Sequence, residues 1–346
     1  MVSFSCDYQE GAHPRVLELL QSTNYEQKPG YGEDAYCRQA AALIRNLCGA
    51  DDAAVHFLVG GTQTNAAVIS AALKPYQGVL SAESGHINVH ETGAVEAYGH
   101  KVLALPAKDG KISGDQVRHY CKDHWQDGAH EHMVQPGLVY ISHPTELGTL
   151  YSKAELEDLF QACHEYGIRL FLDGARLAYA LAAEGSDVTL PDLARLTDVF
   201  YIGGTKCGAL FGEAVVISDP ELQRDFRYII EQHGGMLAKG RLLGLQFLAL
   251  LEDGLYLKLG AHGNVLAKMI TDACTDAGIE LLAPAESNQL FLILSPQEVA
   301  KLEESFEPGD IMKLDDGRLC QRFVTSWATR EEDAAALAEA IRGLRK

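Results

Sequence analysis

Along the first two thirds of the chain, short apolar runs alternate with stretches whose apolar residues recur three and four positions apart. The runs predict strands at 55–60, 78–82, 102–105, 138–142, 170–173, 199–202 and 214–217. Several are apolar at successive positions, as a strand must be when helices cover both faces of its sheet. The stretches between them carry helix punctuation. Ser152 with Glu155, Ser113 with Gln116 and Thr329 with Glu332 have the spacing of a reciprocal N-terminal cap, and Gly167 supplies a stop. This alternation predicts an α/β fold with a mostly parallel sheet. After about residue 250 the rhythm changes: a helical stretch over 240–278 precedes strand-like runs at 289–294 and 319–326, then a final helix. The expected organisation is a large domain over 1–250, beginning with an N-terminal arm, and a smaller α+β domain over 251–346.

Composition narrows what such a fold does. The chain has 346 residues, 47% of them hydrophobic, which supports a large core and excludes a disordered protein. A formal charge of -19 argues against nucleic acid or an anionic membrane as partner, because both require a surplus of Lys and Arg at the contact. It leaves a small anionic ligand open, since a local pair of arginines dominates its own pocket. The eight cysteines stand singly, without metal-finger or C-x-x-C spacing, and read as reduced thiols. The start, MVSFSCDYQEGAHP, has neither the basic nor the apolar region of a secretory signal, and no apolar run approaches the roughly 20 residues of a membrane span. A soluble, cytoplasmic protein is expected, with no metal site.

Three small motifs fall at the predicted carboxyl ends of strands, where ligands bind in open α/β sheets. Gly60-Gly61-Thr62-Gln63-Thr64-Asn65 lies between a strand and a helix, where glycines admit an anion and the helix start offers free N–H groups. Alone it reads equally well as a tight turn. Asp173-Gly174-Ala175-Arg176 follows Leu170-Phe171-Leu172, and a carboxylate at a buried strand end needs a cation or donor to meet it. A helix cap or a salt bridge between Asp173 and Arg176 is the plainer reading. Gly203-Gly204-Thr205-Lys206 follows Phe200-Tyr201-Ile202, and a lysine held among small residues at a sheet mouth becomes a nucleophile for a carbonyl if desolvated. Together, an anion cradle, a buried carboxylate and an amine are what hold a phosphate, a pyridinium nitrogen and an aldehyde, the parts of pyridoxal 5′-phosphate.

At these residues the chain resembles the threonine aldolase family, among the β-eliminating lyases of the fold-type-I (aspartate-aminotransferase-like) pyridoxal enzymes. The resembling stretches are FSCDYQEGAHP, YGED at 31–34, GGTQTN, SGHINVHETGAVEAYGHKV, TELGTLY, LFLDGARL, YIGGTKCGALFGEAVV and RFVTSWAT, in the family's order over nearly the whole chain. The resemblance implies a large cofactor domain, a small C-terminal domain, and a homodimer or homotetramer with active sites at subunit interfaces. It makes Lys206 the Schiff-base lysine, Asp173 the partner of the pyridine nitrogen, and Gly61 and Thr62 the phosphate holders. His86 would stack on the ring, with His90 structural. Arg176 and Arg322 would hold the substrate α-carboxylate, and Tyr31 would reach the neighbouring subunit's cofactor. His132 aligns with a second family histidine and, with His86, is a candidate for the base at the substrate β-hydroxyl.

Two departures touch the substrate side. Cys6 stands where many relatives carry a serine that contacts the substrate carboxylate, and a thiol is a weaker donor. Gly234-Gly235-Met236 is followed by Leu237 rather than arginine, with Lys239 or Arg241 as shifted replacements. The implied activity is cleavage of threonine, allo-threonine or a related β-hydroxy-α-amino acid to glycine and an aldehyde. The rivals are β-elimination or transamination with the same cofactor, and a catalytically silent binding protein of the same fold.

Overall fold

The computed structural model describes residues 1–345. All seven expected strands form and join one sheet, in the order Ala54–Leu58, Glu213–Ile217, Val199–Gly203, Arg169–Asp173, Gln135–Ser142, Gln77–Ala82, Lys101–Leu105. Only Glu213–Ile217 runs against the rest, so the sheet is mostly parallel. Val199–Gly203 and Glu213–Ile217 are buried at every position, and two apolar clusters occupy the two faces. One is built on Leu170, Leu172, Phe200 and Ile202, the other on Phe171, Val199, Tyr201 and Val215. Successive residues thus alternate between clusters, which is why these runs show no polar positions.

Local signals explain most boundaries. The reciprocal caps of Ser152 with Glu155 and Ser113 with Gln116 both form, on helices Lys153–Glu165 and Gly114–Gln126. The expected cap of Thr329 with Glu332 does not: the last helix, Glu331–Arg342, starts behind Arg330 without a side-chain cap. Thr329 Oγ1 instead accepts the Ser326 N–H at 2.7 Å. The helical stretch over 240–278 is also not one helix. It breaks between Arg241–Leu251 and Leu255–Asp276, where Asp253 and Gly254 both take positive φ.

A second, antiparallel sheet, in the order Ile311–Lys313, Leu319–Val324, Gln289–Leu294, Glu280–Leu281, has its own core of Leu266, Ile270, Leu290, Phe323 and Leu337. Phe4 belongs to that core as well, because the first strand, Val2–Phe4, pairs in parallel with Phe306–Pro308. The chain start is therefore stitched to the chain's far end.

Candidate active site

The carboxyl end of Val199–Gly203 delivers Lys206. The Asp173-Gly174-Ala175-Arg176 turn packs against this one backbone to backbone, the Gly203 N–H donating to the Gly174 carbonyl at 2.9 Å. A β-carbon on Gly174 would collide with the Tyr201 carbonyl, so only glycine permits the approach. Thr205 Oγ1 and the Gly204 N–H donate to the two carboxylate oxygens of Glu213, at 2.8 and 3.1 Å, fastening the lysine turn to the antiparallel strand. Lys206 Nζ makes no hydrogen bond to the described residues and stands 5.9 Å from the Tyr8 ring centroid. Burial, aided by the Arg176 charge, lowers its pKa, and the neighbouring carboxylates oppose that shift. Burial pushes Glu213 in the other direction, to about 8.

Asp173 is buried at the end of its strand and met by donors. Tyr140 Oη lies at 2.7 Å and Asn65 Nδ2 at 3.0 Å from Oδ2, and the Ala175 N–H at 2.9 Å from Oδ1. Burial raises the carboxylate's pKa, but the Tyr140 hydrogen bond and its companions outweigh it and hold Asp173 below its ordinary value. It is an anion at neutral pH. Asn65 Nδ2 also donates to Glu91 Oε1 at 2.7 Å, and the same oxygen meets His86 Nδ1 at 2.7 Å. That contact requires the proton on Nδ1, leaving Nε2 of the half-buried ring as the free nitrogen. The helix Gly61–Ala72 begins behind Gly60 with no side-chain cap, so its first amides are open at this pocket.

Arg176 pairs not with Asp173 but with Asp7, in a two-point contact of Nε to Oδ2 at 2.7 Å and Nη2 to Oδ1 at 3.1 Å. Asp7 is completely buried and also accepts from Asn288 Nδ2 at 2.9 Å. Burial alone would raise its pKa; the Arg176 charge overrides this and brings it below the usual aspartate value. The fork is thereby fixed with Nη1 left open. Arg322 comes from the second sheet, its Nη2 2.9 Å from Asp310 Oδ2 and its Nε buried without a partner.

These groups line two adjoining chambers. The inner one holds Gly61, Asn65, Asp173, Tyr201 and Lys206; the outer one holds Tyr8, His90, Leu147, Phe291 and Arg322. Thr62 lies exposed beside Gly61. His90, expected to be structural, lines the outer chamber. Cys6 lines neither; Tyr8, two residues on, does so instead. His132 is also absent from both. It sits exposed on the turn His130–His132, ahead of the eight-residue strand Gln135–Ser142, and the chambers lie at that strand's far end, roughly 26 Å away at 3.3 Å per residue. Tyr31 lies in a separate cleft with Arg38, Arg45 and Arg227, its carbonyl held by Arg227 Nη2 at 3.2 Å. Arg241 is spent on the carbonyls of Asn24 and Glu26, so it does not supply the missing charge after Met236.

Sequence reasoning passed over Asp7, Asn65, Glu91, Glu146 and Glu213. Each sat inside a quoted motif, and Glu213 had a visible signal, a lone carboxylate heading the apolar run Ala214–Ile217. Among the described residues no group of three or more potential metal ligands is found, and no helix is long and apolar enough to cross a membrane.

Comparison with known proteins places these features. Residues 18–296 match the family model of β-eliminating lyases. A low specificity L-threonine aldolase from a Pseudomonas species is 31% identical, over 99% of this chain and 97% of its own length. The solved structure of Leishmania major threonine aldolase superposes with a TM-score of 0.97 at 46% identity, covering 100% of both chains. Thermus thermophilus aspartate aminotransferase, at 15% identity and a TM-score of 0.73, covers 99% of this chain and 91% of its own, and shares the fold.

Proposed function

The chain belongs to the β-eliminating lyase family, within its threonine aldolase branch, and from that premise we propose that it cleaves the Cα–Cβ bond of threonine, allo-threonine or a related β-hydroxy-α-amino acid. The products are glycine and an aldehyde, and the cofactor is pyridoxal 5′-phosphate. One observation carries the reading. Lys206, Asn65 and Arg322 line the two chambers and each keeps a polar atom, Nζ, Oδ1 and Nε, without a partner among the described residues, beside an uncapped helix start and an ionised Asp173. Polar groups left unmet at such a place fit a ligand with an aldehyde, a basic ring nitrogen, a phosphate and a carboxylate.

Lys206 would hold the cofactor aldehyde, Asp173 the ring nitrogen, the Gly61 and Thr62 amides the phosphate, and the His86 ring one face of the pyridine. The bound cofactor supplies an electron sink for the pair left on Cα when a bond there breaks. The protein selects which bond. Arg176 and Arg322, whose side chains line the outer chamber, would hold the substrate carboxylate from two directions, and the Asp7 contact stops the Arg176 fork from turning away. Fixing the carboxylate fixes the rotation about the amine–Cα bond. The chain further works as a homodimer or homotetramer in which Tyr31 serves a neighbouring subunit's site, a reading supported by its exposure and its place in a cleft other than the Lys206 chambers.

Incubating the cofactor-loaded protein with L-threonine and L-allo-threonine tests the reading. Glycine and acetaldehyde in equal amounts are expected. Ammonia with 2-oxobutanoate would place the chain among eliminating enzymes instead.

A further inference from the structure

Four side chains line both chambers: Lys206, Arg176, His86 and Glu146. The first three already have work to do there. Glu146 does not, and it sits in the loop after Gln135–Ser142, at the carboxyl edge of the sheet. Its Oε1 is tied down by Ser142 Oγ at 2.6 Å and by the His86 backbone N–H at 2.8 Å. Its Oε2 takes no hydrogen bond from any other residue, its own backbone amide being the one further donor to the carboxylate, and the side chain lines both chambers. One oxygen is anchored by its neighbours and the other is not, where the cofactor and substrate chambers adjoin.

We propose that Glu146 is the catalytic base of this site, taking the proton of the substrate β-hydroxyl at Oε2 as the Cα–Cβ bond breaks. This rests on the aldol-cleavage reading above. The hydroxyl proton moves to Oε2 and the O–H electron pair becomes the second C–O bond of the departing aldehyde. The Cα–Cβ pair remains with Cα, which regains a proton to give glycine, so no oxidant or reductant enters. Within one chain His132 stands at the other end of its strand from the chambers, and His86, whose Nε2 is free, is the proposed stacking partner of the cofactor ring, a place over the ring face rather than beside the β-hydroxyl. The titratable and charged groups around Glu146 are Asp173, His86, Tyr140, Tyr151, Arg176 and Lys206. Burial raises its pKa and the Asp173 charge adds to that, while the Ser142 and His86 hydrogen bonds restrain it.

Glu146→Gln in the holoenzyme tests this. Cleavage of threonine is expected to slow by about a hundredfold or more in kcat, the scale of a lost general base. Titration of cofactor into the apoprotein, and exchange of the glycine α-proton with deuterated water followed by NMR, should each stay within about threefold, because neither involves a β-hydroxyl. A base acts deprotonated, so wild-type kcat/KM falls as pH drops through a value above the ordinary glutamate range, and that limb is absent in the variant. Glu146→Asp restores a carboxylate and should recover part of the rate together with the limb. It decides the matter should the glutamine variant fail to load cofactor. Glu146→Gln cleaving within about threefold of wild type, or losing exchange by the same factor as cleavage, overturns the proposal. Failure of the aldolase reading itself looks different: the wild type would yield no glycine and aldehyde from any β-hydroxy amino acid.

Discussion

At the scale of single residues, the site is built from charges that hold one another before any ligand arrives. Asp7 is the clearest case, buried entirely, shared between Arg176 and Asn288. Asp7→Asn leaves the Arg176 charge half-met in a buried place and should destabilise the protein by about 3–5 kcal/mol, measured by urea unfolding at neutral pH. The sign with pH follows from its depressed pKa. The contribution is complete above the unfolded aspartate value and disappears as pH falls through the lower folded value, so the gap between wild type and variant should close in acid. A gap independent of pH would mean that packing, not charge, is at stake. Lys206→Ala should abolish borohydride-dependent attachment of cofactor to the protein, read by mass spectrometry of the Lys206 peptide, and leave no measurable cleavage. Lys206 and Asp173 were legible because each ends an apolar strand in a motif a few residues long. Asp7 and Arg176 lie 169 positions apart, and no pattern within a motif announces such a pair. Glu146 escaped for a related reason: its place between two chambers comes from residues far apart in the chain, which no local pattern encodes.

At the scale of elements, short-range chemistry predicts well where it is undisputed. The central strands were readable because burial on both faces removes polar positions, and the ends of all seven differ from expectation by at most a few residues. Ser152→Ala removes one half of a reciprocal cap and should cost about 1 kcal/mol in denaturant unfolding. Thr329 shows the limit of such spacing. Its hydroxyl caps a turn at Ser326 instead, because the preceding strand places that amide within reach first. The break at Asp253–Gly254 was hidden by the apolar residues on both sides of it, which kept the helical rhythm while the backbone left it. His132 shows the same limit: the register of a motif did not say that it lies at the end of its strand away from its own chain's chambers.

At the scale of the whole molecule, the proposed sharing of sites between subunits gives an expectation that single-chain reasoning cannot. Tyr31→Ala and Lys206→Ala, each poorly active alone, should regain activity when mixed and reassociated, since one site of each hybrid then carries neither change. Mixtures no more active than their parts would confine Tyr31 to its own chain's cleft. The strand pairing at the chain ends has a different kind of consequence. Val2–Phe4 finds its partner only at Phe306–Pro308, and Asp7 finds Asn288 across 281 positions. During synthesis the first residues therefore emerge long before anything exists to receive them, and closing so long a loop is slow. Asp7 and Arg176 both precede the segments that fix the arm, so the contacts that hold Asp7 in place are completed only when Asn288 and Phe306–Pro308 exist. The arm that aims the substrate-binding arginine is thus expected to dock late in folding, and a chain ending before residue 288 lacks both of its far contacts.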